Sequence, residues 1–289
     1  MMKHLRKRSF LTTSLAFVCA TLTMGCANSG TQDRPEPVPE IRPGILQGYL
    51  PLESLPNSLA LVPPPPAAGS TSLAMDVDVS QAGLGMRGSM RWELAAEDAN
   101  LTFPRTAGTF SCALNAPITE QDTPHLYMLL RRTLADAGLS TYTAKNHYER
   151  ASPFVVNKEP SCTPDEEEHL SKDGSYPSGH TAIGWAWALI LSEVAPEQSD
   201  AILARGWAFG QSRMICNVHW QSDIIMGRIM GAAAVASLHS NPAFRTAISV
   251  AQDEVEAVRA KGLQPTRDCK AEADAMAEYP ASAPWPANN

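Results

Sequence analysis

The chain has few cations for its length. Its 289 residues contain 23 lysines and arginines against 30 aspartates and glutamates, a formal net charge of −7. The deficit of cations, with no basic stripe, argues against a nucleic acid as the partner. It does not exclude a small anionic substrate, because one pocket can be positive in an acidic protein.

Three further features are scarce or absent in the sequence. No Cys-x-x-Cys pair or His/Cys cluster has the spacing of zinc ligands. No long stretch alternates apolar and polar residues with the period of two that marks a half-buried strand. No apolar run is both long enough and free enough of charge to cross a bilayer as a helix. These absences argue against a zinc site, a sheet protein and a membrane-spanning helix.

The N-terminal residues have the composition of a secretory signal. Four of the first eight residues are lysine or arginine, and residues 10–24 are apolar or small and carry no charge. This apolar stretch is too short to span a bilayer and is typical of an export signal, which we assign to residues 1–25. Its removal would leave 19 cations against 30 acids, a balance of −11. We therefore expect an exported, periplasmic protein.

The cysteines fit an exported protein. "LTMGC", which ends at Cys26, resembles a bacterial lipobox, although Thr23 stands where an aliphatic residue is usual. Acylated at Cys26, the protein would be tethered to a membrane; without the lipid it would be soluble in the periplasm. Four more cysteines suit disulfides in an oxidising compartment. These four cysteines are Cys112, Cys162, Cys216 and Cys269. Four cysteines allow three pairings, and the sequence does not choose among them.

Composition divides the rest of the chain into three parts. Residues 26–66 are rich in proline and end in four consecutive prolines, which predicts a linker or loosely ordered lead-in. Residues 263–289 predict a low-complexity tail. Residues 67–262 have the size of one ordinary domain and show no internal repeat.

Helical patterns dominate residues 67–262 and predict an all-α fold, a single compact helical bundle domain. Residues 124–137 begin with a helix-first proline and stop before Gly138. Residues 181–194 are apolar on nearly every face, as in a helix at the centre of a bundle. Further helices are predicted at residues 85–99, 196–210, 219–238 and 242–261.

Ser178, Gly179 and His180 stand at the start of the predicted central helix. Serine is a good N-cap, and glycine lets a backbone approach a ligand closely. The first turn of a helix has unpaired N–H groups and a partial positive charge, which together stabilise an anion. His180 there could give or take a proton near neutral pH. A plain capped helix with a surface histidine is the simpler alternative.

A second cluster contains Arg213, His219 and Asp223. The spacing of four predicts that His219 and Asp223 share one face of a helix, within hydrogen-bonding reach. A carboxylate on one imidazole nitrogen leaves the other available as a base or nucleophile. Arg213 precedes a predicted break at Asn217 and offers a planar fork suited to phosphate oxygens. An ordinary helix salt bridge is the alternative.

The third cluster contains Lys145 and Arg150, two cations before an extended segment restricted by Pro153. Taken alone, such a charge run is most often a solvated surface.

In order and spacing, however, the three clusters resemble the bacterial class A non-specific acid phosphatases. These belong to the type 2 phosphatidic acid phosphatase superfamily, which also includes vanadium haloperoxidases. The likeness covers residues 59–261 and rests on Lys145, Pro153, Pro177, Ser178, Gly179, His180, Ser212, Arg213, His219 and Asp223.

The resemblance implies an exported, metal-independent acid phosphatase that uses no cofactor and hydrolyses small phosphate monoesters. It implies that His219 attacks phosphorus to form a phosphohistidine, that Asp223 orients the His219 ring, and that His180 is the general acid and base. A homo-oligomer is left open. The phosphate oxygens would be bound by Lys145, Arg213, the Ser178 hydroxyl and the Gly179 N–H.

One position departs from the family pattern. The family arginine that follows the lysine by seven residues is Ser152 here. On an extended segment, residues two apart point the same way, so we expect Arg150 to take over part of phosphate binding. Two alternatives stay open. The same intermediate would serve a phosphotransferase, and a site disabled by Ser152 would leave a non-catalytic anion-binding lipoprotein.

Overall fold

The computed structural model describes residues 34–279, so the predicted signal peptide and Cys26 lie outside the described residues. Helices dominate this range, which confirms the predicted all-α class. The only sheet within it is an antiparallel pair, β1 (Glu40–Arg42) and β2 (Ile45–Leu46). No helix in this range is long and apolar enough to cross a membrane.

The helices follow one another with short connections. The first seven are α1 (Ser58–Leu61), α2 (Thr71–Leu84), α3 (Met90–Asp98), α4 (Ser111–Leu114), α5 (Pro124–Leu139), α6 (Tyr142–Tyr148) and α7 (Pro153–Asn157). The others are α8 (Glu167–Leu170), α9 (Gly179–Val194), α10 (Ser199–Ile215), α11 (Gln221–Leu238), α12 (Pro242–Ala260) and α13 (Cys269–Glu278). Short 3₁₀ turns lie at Leu52–Ser54, Arg105–Phe110, Pro164–Glu166 and Pro196–Gln198.

Helix α9 is the centre of the bundle, as its apolar sequence predicts. It packs against α5, α10, α11 and α12. Trp187 on α9 is fully buried, and its indole N–H donates to the carbonyl of Leu130 on α5 at 3.1 Å. Buried tryptophans usually find such a partner, so the ring adds apolar area without leaving an unpaired donor.

A glycine brings α11 into close contact with the start of α9. A Cβ at Gly227 would lie 2.6 Å from the carbonyl oxygen of Ser178, closer than any side chain tolerates. Only a residue without a side chain permits this approach. The beginnings of α9 and α11, which carry two of the three sequence clusters, are therefore neighbours.

Several predicted helix boundaries shift. The predicted helix at residues 85–99 forms only from Met90, because Gly88 adopts a left-handed φ of 77° and separates α3 from α2. Helix α2, at Thr71–Leu84, was not predicted. The spacing of four predicts that His219 and Asp223 share one face of a helix. Helix α11 begins only at Gln221, so His219 precedes the helix and this prediction is wrong.

The segment expected to be a low-complexity tail contains α13. Asp268 caps this helix by accepting the N–H groups of Lys270 and Ala271 at 3.0 Å each. A disulfide between Cys112 and Cys269 attaches it to α4, and it packs against α3. The second disulfide joins Cys162 to Cys216. Its partners are distant in sequence, which is why the sequence left the pairing open.

Candidate active site

The starts of α9 and α11 are joined by a backbone hydrogen bond. The Ser178 N–H donates to the carbonyl of Asp223 at 3.0 Å. The Ser178 hydroxyl caps α9 by accepting the Thr181 N–H at 3.2 Å and the Thr181 hydroxyl at 2.9 Å. Because the Ser178 oxygen accepts in both contacts, its own proton is free to be donated to a ligand.

His219 is held in a tight turn between α10 and α11. Asn217 has a left-handed φ of 62°, which ends α10, and the N–H of His219 donates to the carbonyl of Arg213 at 3.2 Å. The His219 Nδ1 lies 3.5 Å from Asp223 Oδ2, and the same oxygen accepts the Trp220 N–H at 2.8 Å. The 3.5 Å separation is at the outer limit for a hydrogen bond. This arrangement points Nδ1 at the carboxylate and leaves Nε2 available.

The Asp223 carboxylate stays ionised although it is fully buried. Burial alone would raise its pKa, but the interaction with His219 and the charge of Arg150 hold the pKa below its usual value. Burial lowers the pKa of His219, although Asp223 opposes that effect. The pair therefore consists of a carboxylate beside an imidazole that is readily neutral.

His180 has the opposite ring orientation to His219. Its Nε2 lies 2.9 Å from the carbonyl oxygen of Ala99, at the end of α3, so Nε2 carries the proton that it donates. Nδ1 is then the nitrogen left for proton transfer. Burial and, next, the charge of Arg213 lower the pKa of His180 well below its usual value.

Arg213 is a fully buried cation near the end of α10. None of its three guanidinium nitrogens hydrogen-bonds to any residue in the described range 34–279. Burial lowers its pKa to about 10, so it remains charged at physiological pH. A buried charge without a partner is costly, and buried polar groups are nearly always paired. The arrangement is that of a site for an anion.

Lys145 supplies the second cation. It lies on α6, is 5% exposed, and its ammonium group binds the Asp173 carboxylate at 3.1 Å and the carbonyl of Gly174. Its Cε is 3.8 Å from where a Cβ on Gly179 would lie, which places Lys145 beside the first turn of α9.

The structure brings these groups to one place. The charges of Lys145 and Arg213 lower the pKa of both His180 and His219, and His219 also acts on His180. Such mutual effects need short separations, since solvent screens distant charges. Two imidazoles and two cations that act on one another electrostatically, beside a helix N-terminus, could bind a phosphate group and exchange protons with it.

Arg150, for which phosphate binding is predicted, has two carboxylates and a hydroxyl as its partners within the protein. Its Nη1 binds Asp223 Oδ1 at 2.6 Å and the Ser222 hydroxyl at 2.7 Å, and its Nη2 binds Asp76 Oδ2 at 2.7 Å. The guanidinium group is therefore bound by two carboxylates within the protein. The segment that carries it is not extended throughout, because Lys145 lies in a helix and Glu149 is left-handed.

The position of the missing family arginine lies next to the site. Ser152 is 5% exposed and directly precedes α7. The N–H of Phe154 in that helix donates to the carbonyl of Asn217, two residues before His219, at 3.1 Å. A longer side chain at position 152 would therefore start close to the His219 turn.

Two acids in the site's surroundings were missed from the sequence. Asp76 on α2 is 1% exposed and binds Arg150 and Ser222. Asp98, at the end of α3, accepts the Ser212 hydroxyl at 2.6 Å and pairs with Arg205 at 2.5 Å. No local pattern marks either acid, because their partners lie far away in the chain. Within residues 34–279, no group of three or more potential ligands is placed to hold a metal ion.

Known proteins resemble this chain over most of its length. Residues 126–246 match the model of the PAP2 superfamily. A non-specific acid phosphatase of Providencia stuartii is 49% identical over 199 residues, 68% of this chain and 80% of the relative. A non-specific acid phosphatase of Salmonella typhimurium is 42% identical over 208 residues, 72% of this chain and 83% of the relative. An acid phosphatase of Zymomonas mobilis is 39% identical over 209 residues, 72% of this chain and 79% of the relative.

Proposed function

Because this chain belongs to the non-specific acid phosphatases of the PAP2 superfamily, we propose that it hydrolyses phosphate monoesters through a phosphohistidine on His219. The observation that carries the proposal is the complementary arrangement of two imidazoles. The Asp223 carboxylate faces Nδ1 of His219, and the Ala99 carbonyl binds Nε2 of His180. One ring then presents a nucleophilic nitrogen and the other a nitrogen that can carry a proton to the same group.

In the first step, Nε2 of His219 attacks phosphorus and forms an N–P bond as the bond to the leaving oxygen breaks. The ring becomes positively charged, and Asp223 stabilises that charge through Nδ1. His180 donates its Nδ1 proton to the departing alkoxide. Lys145, Arg213, the Ser178 hydroxyl and the Gly179 N–H would bind the other phosphate oxygens, where charge must be stabilised during phosphoryl transfer.

In the second step, water attacks the phosphohistidine. His180, now neutral, accepts a proton from this water through Nδ1, and the N–P bond breaks as the P–O bond forms. Inorganic phosphate leaves, His180 is protonated again, and His219 returns to its neutral form. Each histidine thus regains its starting state. No metal ion is required, because fixed cations supply the positive charge.

The proposed location is the periplasm. The signal-like residues 1–25 support export, and pairing of the four cysteines in the described chain suits an oxidising compartment. Tethering through a lipid on Cys26, or release in soluble form, is part of the same proposal and is decided by mass spectrometry of the mature N-terminus.

Hydrolysis of p-nitrophenyl phosphate between pH 5 and 7 in the presence of a chelator tests the proposal. We expect turnover by the wild type and none by His219→Ala. His239→Ala is a matched control, because His239 is a half-exposed histidine paired with Glu193. Added alcohol acceptors separate hydrolysis from phosphotransfer. A wild type that binds phosphate without turning over the ester would contradict the proposal and favour an anion-binding protein.

A further inference from the structure

The backbone around Arg150 is held by hydrogen bonds of its own, independently of the Arg150 side chain. It follows Glu149, whose left-handed φ of 42° ends α6, and its carbonyl accepts the Ser175 N–H at 2.8 Å. The following carbonyl, of Ala151, accepts the indole N–H of Trp220 at 2.8 Å. The Arg150 guanidinium carbon also lies 5.3 Å from the centre of the Trp220 ring. Trp220, which follows His219 in the chain, is therefore bound to both the main chain and the side chain of the Arg150 segment.

The two oxygens of Asp223 have different partners. Oδ2 accepts the Trp220 N–H and faces His219 Nδ1, whereas Oδ1 accepts Arg150 Nη1 at 2.6 Å. A carboxylate held at one oxygen only can rotate about its terminal bond, which is a soft torsion. Arg150 removes that freedom, so the oxygen that meets the imidazole stays in the correct plane.

Asp76 in turn holds Arg150. Its Oδ2 accepts Arg150 Nη2 at 2.7 Å, and its Oδ1 accepts the Ser222 N–H at 2.8 Å. The Ser222 hydroxyl donates to Asp76 at 2.6 Å and accepts from Arg150 at 2.7 Å. Two buried carboxylates share one cation, so Arg150 brings no surplus positive charge to the phosphate site. Charge-assisted bonds of this kind are among the strongest in proteins.

We propose that Arg150 is a positioning residue that acts on the reaction through Asp223, is itself held by Asp76, and is not a phosphate ligand. This inference rests on the proposed function of His219 as the nucleophile. It replaces the expectation that Arg150 substitutes for the missing family arginine. A positioning residue changes the rate of the chemical step and leaves the affinity for phosphate as it was, whereas a phosphate ligand changes both.

The first experiment compares Arg150→Met, Arg150→Lys and Ser222→Ala with wild type, using p-nitrophenyl phosphate as substrate and inorganic phosphate as inhibitor. We expect Arg150→Met to lower kcat by about 10- to 100-fold, as loss of a group that orients a functional histidine typically does. The inhibition constant of phosphate should not change. Arg150→Lys should recover part of kcat, because a lysine reaches one of the two carboxylates. Ser222→Ala should have a smaller effect in the same direction.

Arg87→Met is the matched control. Arg87 is also an arginine paired with a carboxylate, that of Glu159, but it is 36% exposed and lies outside the site. We expect it to leave kcat unchanged. The proposal is overturned if Arg150→Met weakens phosphate inhibition in proportion to the loss of rate, or if a folded Arg150→Met keeps the wild-type kcat.

A second readout does not depend on turnover. ¹⁵N NMR of histidine-labelled protein reports which nitrogen of the His219 ring carries the proton, with His219→Ala used to assign the signal. We expect one tautomer in the wild type, protonated at Nδ1, and a mixture in Arg150→Met or, if that variant does not fold, in Ser222→Ala. An unchanged single tautomer in the folded variants would refute the proposal. Absence of turnover in the wild type would instead count against the proposed function alone.

Discussion

The backbone N–H of Ser178 donates to the backbone carbonyl of Asp223 at 3.0 Å. This bond joins the residue that caps α9 to the residue whose carboxylate faces His219, although the two lie far apart in sequence. It depends on the close contact at Gly227, where a Cβ would lie 2.6 Å from the Ser178 carbonyl oxygen. The turn at Ser178 and the segment that carries His219 are thus held by main-chain atoms, which fixes their relative position more firmly than side chains alone would.

The pH profile of hydrolysis follows from the two histidines. His219 must be neutral to attack, so activity rises with pH as it loses its proton, and His180 must be protonated, so activity falls as pH increases further. Burial lowers the pKa of both rings. We therefore expect a bell-shaped dependence of kcat/KM on pH with its maximum below 7. An optimum above pH 8 would contradict these assignments.

His180→Ala tests the alkaline side of that profile. p-Nitrophenolate leaves without much help from an acid, so the variant should retain some turnover of this ester while losing turnover of alkyl phosphates. The decline above the optimum, which reports loss of the His180 proton, should disappear. A variant that keeps the wild-type decline would show that another group controls it.

Asp173 binds the ammonium group of Lys145, which we propose also binds the phosphate of the substrate. Its carboxylate lies 3.1 Å from the ammonium group and is 30% exposed, so a bound phosphate must displace it or share the cation. We expect Asp173→Asn to lower KM for p-nitrophenyl phosphate severalfold, equivalent to about 1 kcal/mol for a partly exposed ion pair. Glu168→Gln is the control, since Glu168 pairs with Lys172 at the surface of the same segment. A raised KM in Asp173→Asn would mean that Asp173 positions Lys145 for binding.

Ser152→Arg restores the residue that the family pattern has at this position. Because Arg150 is engaged by Asp76 and Asp223, we expect no existing group to replace the missing donor, and the new arginine to raise kcat/KM by about 10-fold or more. Ser171→Arg adds the same charge at an exposed serine and should have no such effect. A loss of activity in a folded Ser152→Arg would show that the pocket of this enzyme no longer accommodates that side chain.

The Cys162–Cys216 disulfide lies at the end of α10, directly before the His219 turn. Replacing both cysteines with alanine should lower the free energy of unfolding by about 2–4 kcal/mol in urea titrations. It should also lower kcat, because the turn that carries His219 loses an anchor. Removal of the Cys112–Cys269 disulfide should reduce stability with a smaller loss of kcat. Equal effects of the two on kcat would argue against a specific role for Cys162–Cys216.

The elements that the sequence predicts well are those with local sequence signals. Helix α5 begins at Pro124, as expected, and α9 is apolar enough to identify it as the bundle centre. Where prediction falls short, the cause is non-local. Gly88 delays the start of the helix predicted at residues 85–99 to Met90, through a left-handed backbone conformation that the amphipathic pattern does not show. Helix α13 is joined to Cys112 by a disulfide and packs against α3, and both partners lie far away in the chain.

The site shows the same division. Its motif residues are recognisable because the binding or proton transfer proposed for each of them requires a particular side-chain chemistry. The ion pairs of Arg150 are not recognisable, since its neighbours in sequence suggest a phosphate ligand and only folding brings Asp76 and Asp223 to it. The position of His219 before α11 also could not be predicted from the spacing of four between His219 and Asp223. That spacing brings two side chains together within a helix, and here the two residues also lie close together across a helix start.

Direct trapping of the phosphoenzyme tests the central claim. Wild type, His180→Ala and His219→Ala are mixed with p-nitrophenyl phosphate, quenched under basic conditions that preserve phosphohistidine, and analysed by mass spectrometry of proteolytic peptides. The account predicts a phosphoryl group on His219 in the wild type, more of it in His180→Ala because hydrolysis lacks its base, and none in His219→Ala. A phosphoryl group on any other residue, or undiminished turnover by His219→Ala, would contradict it.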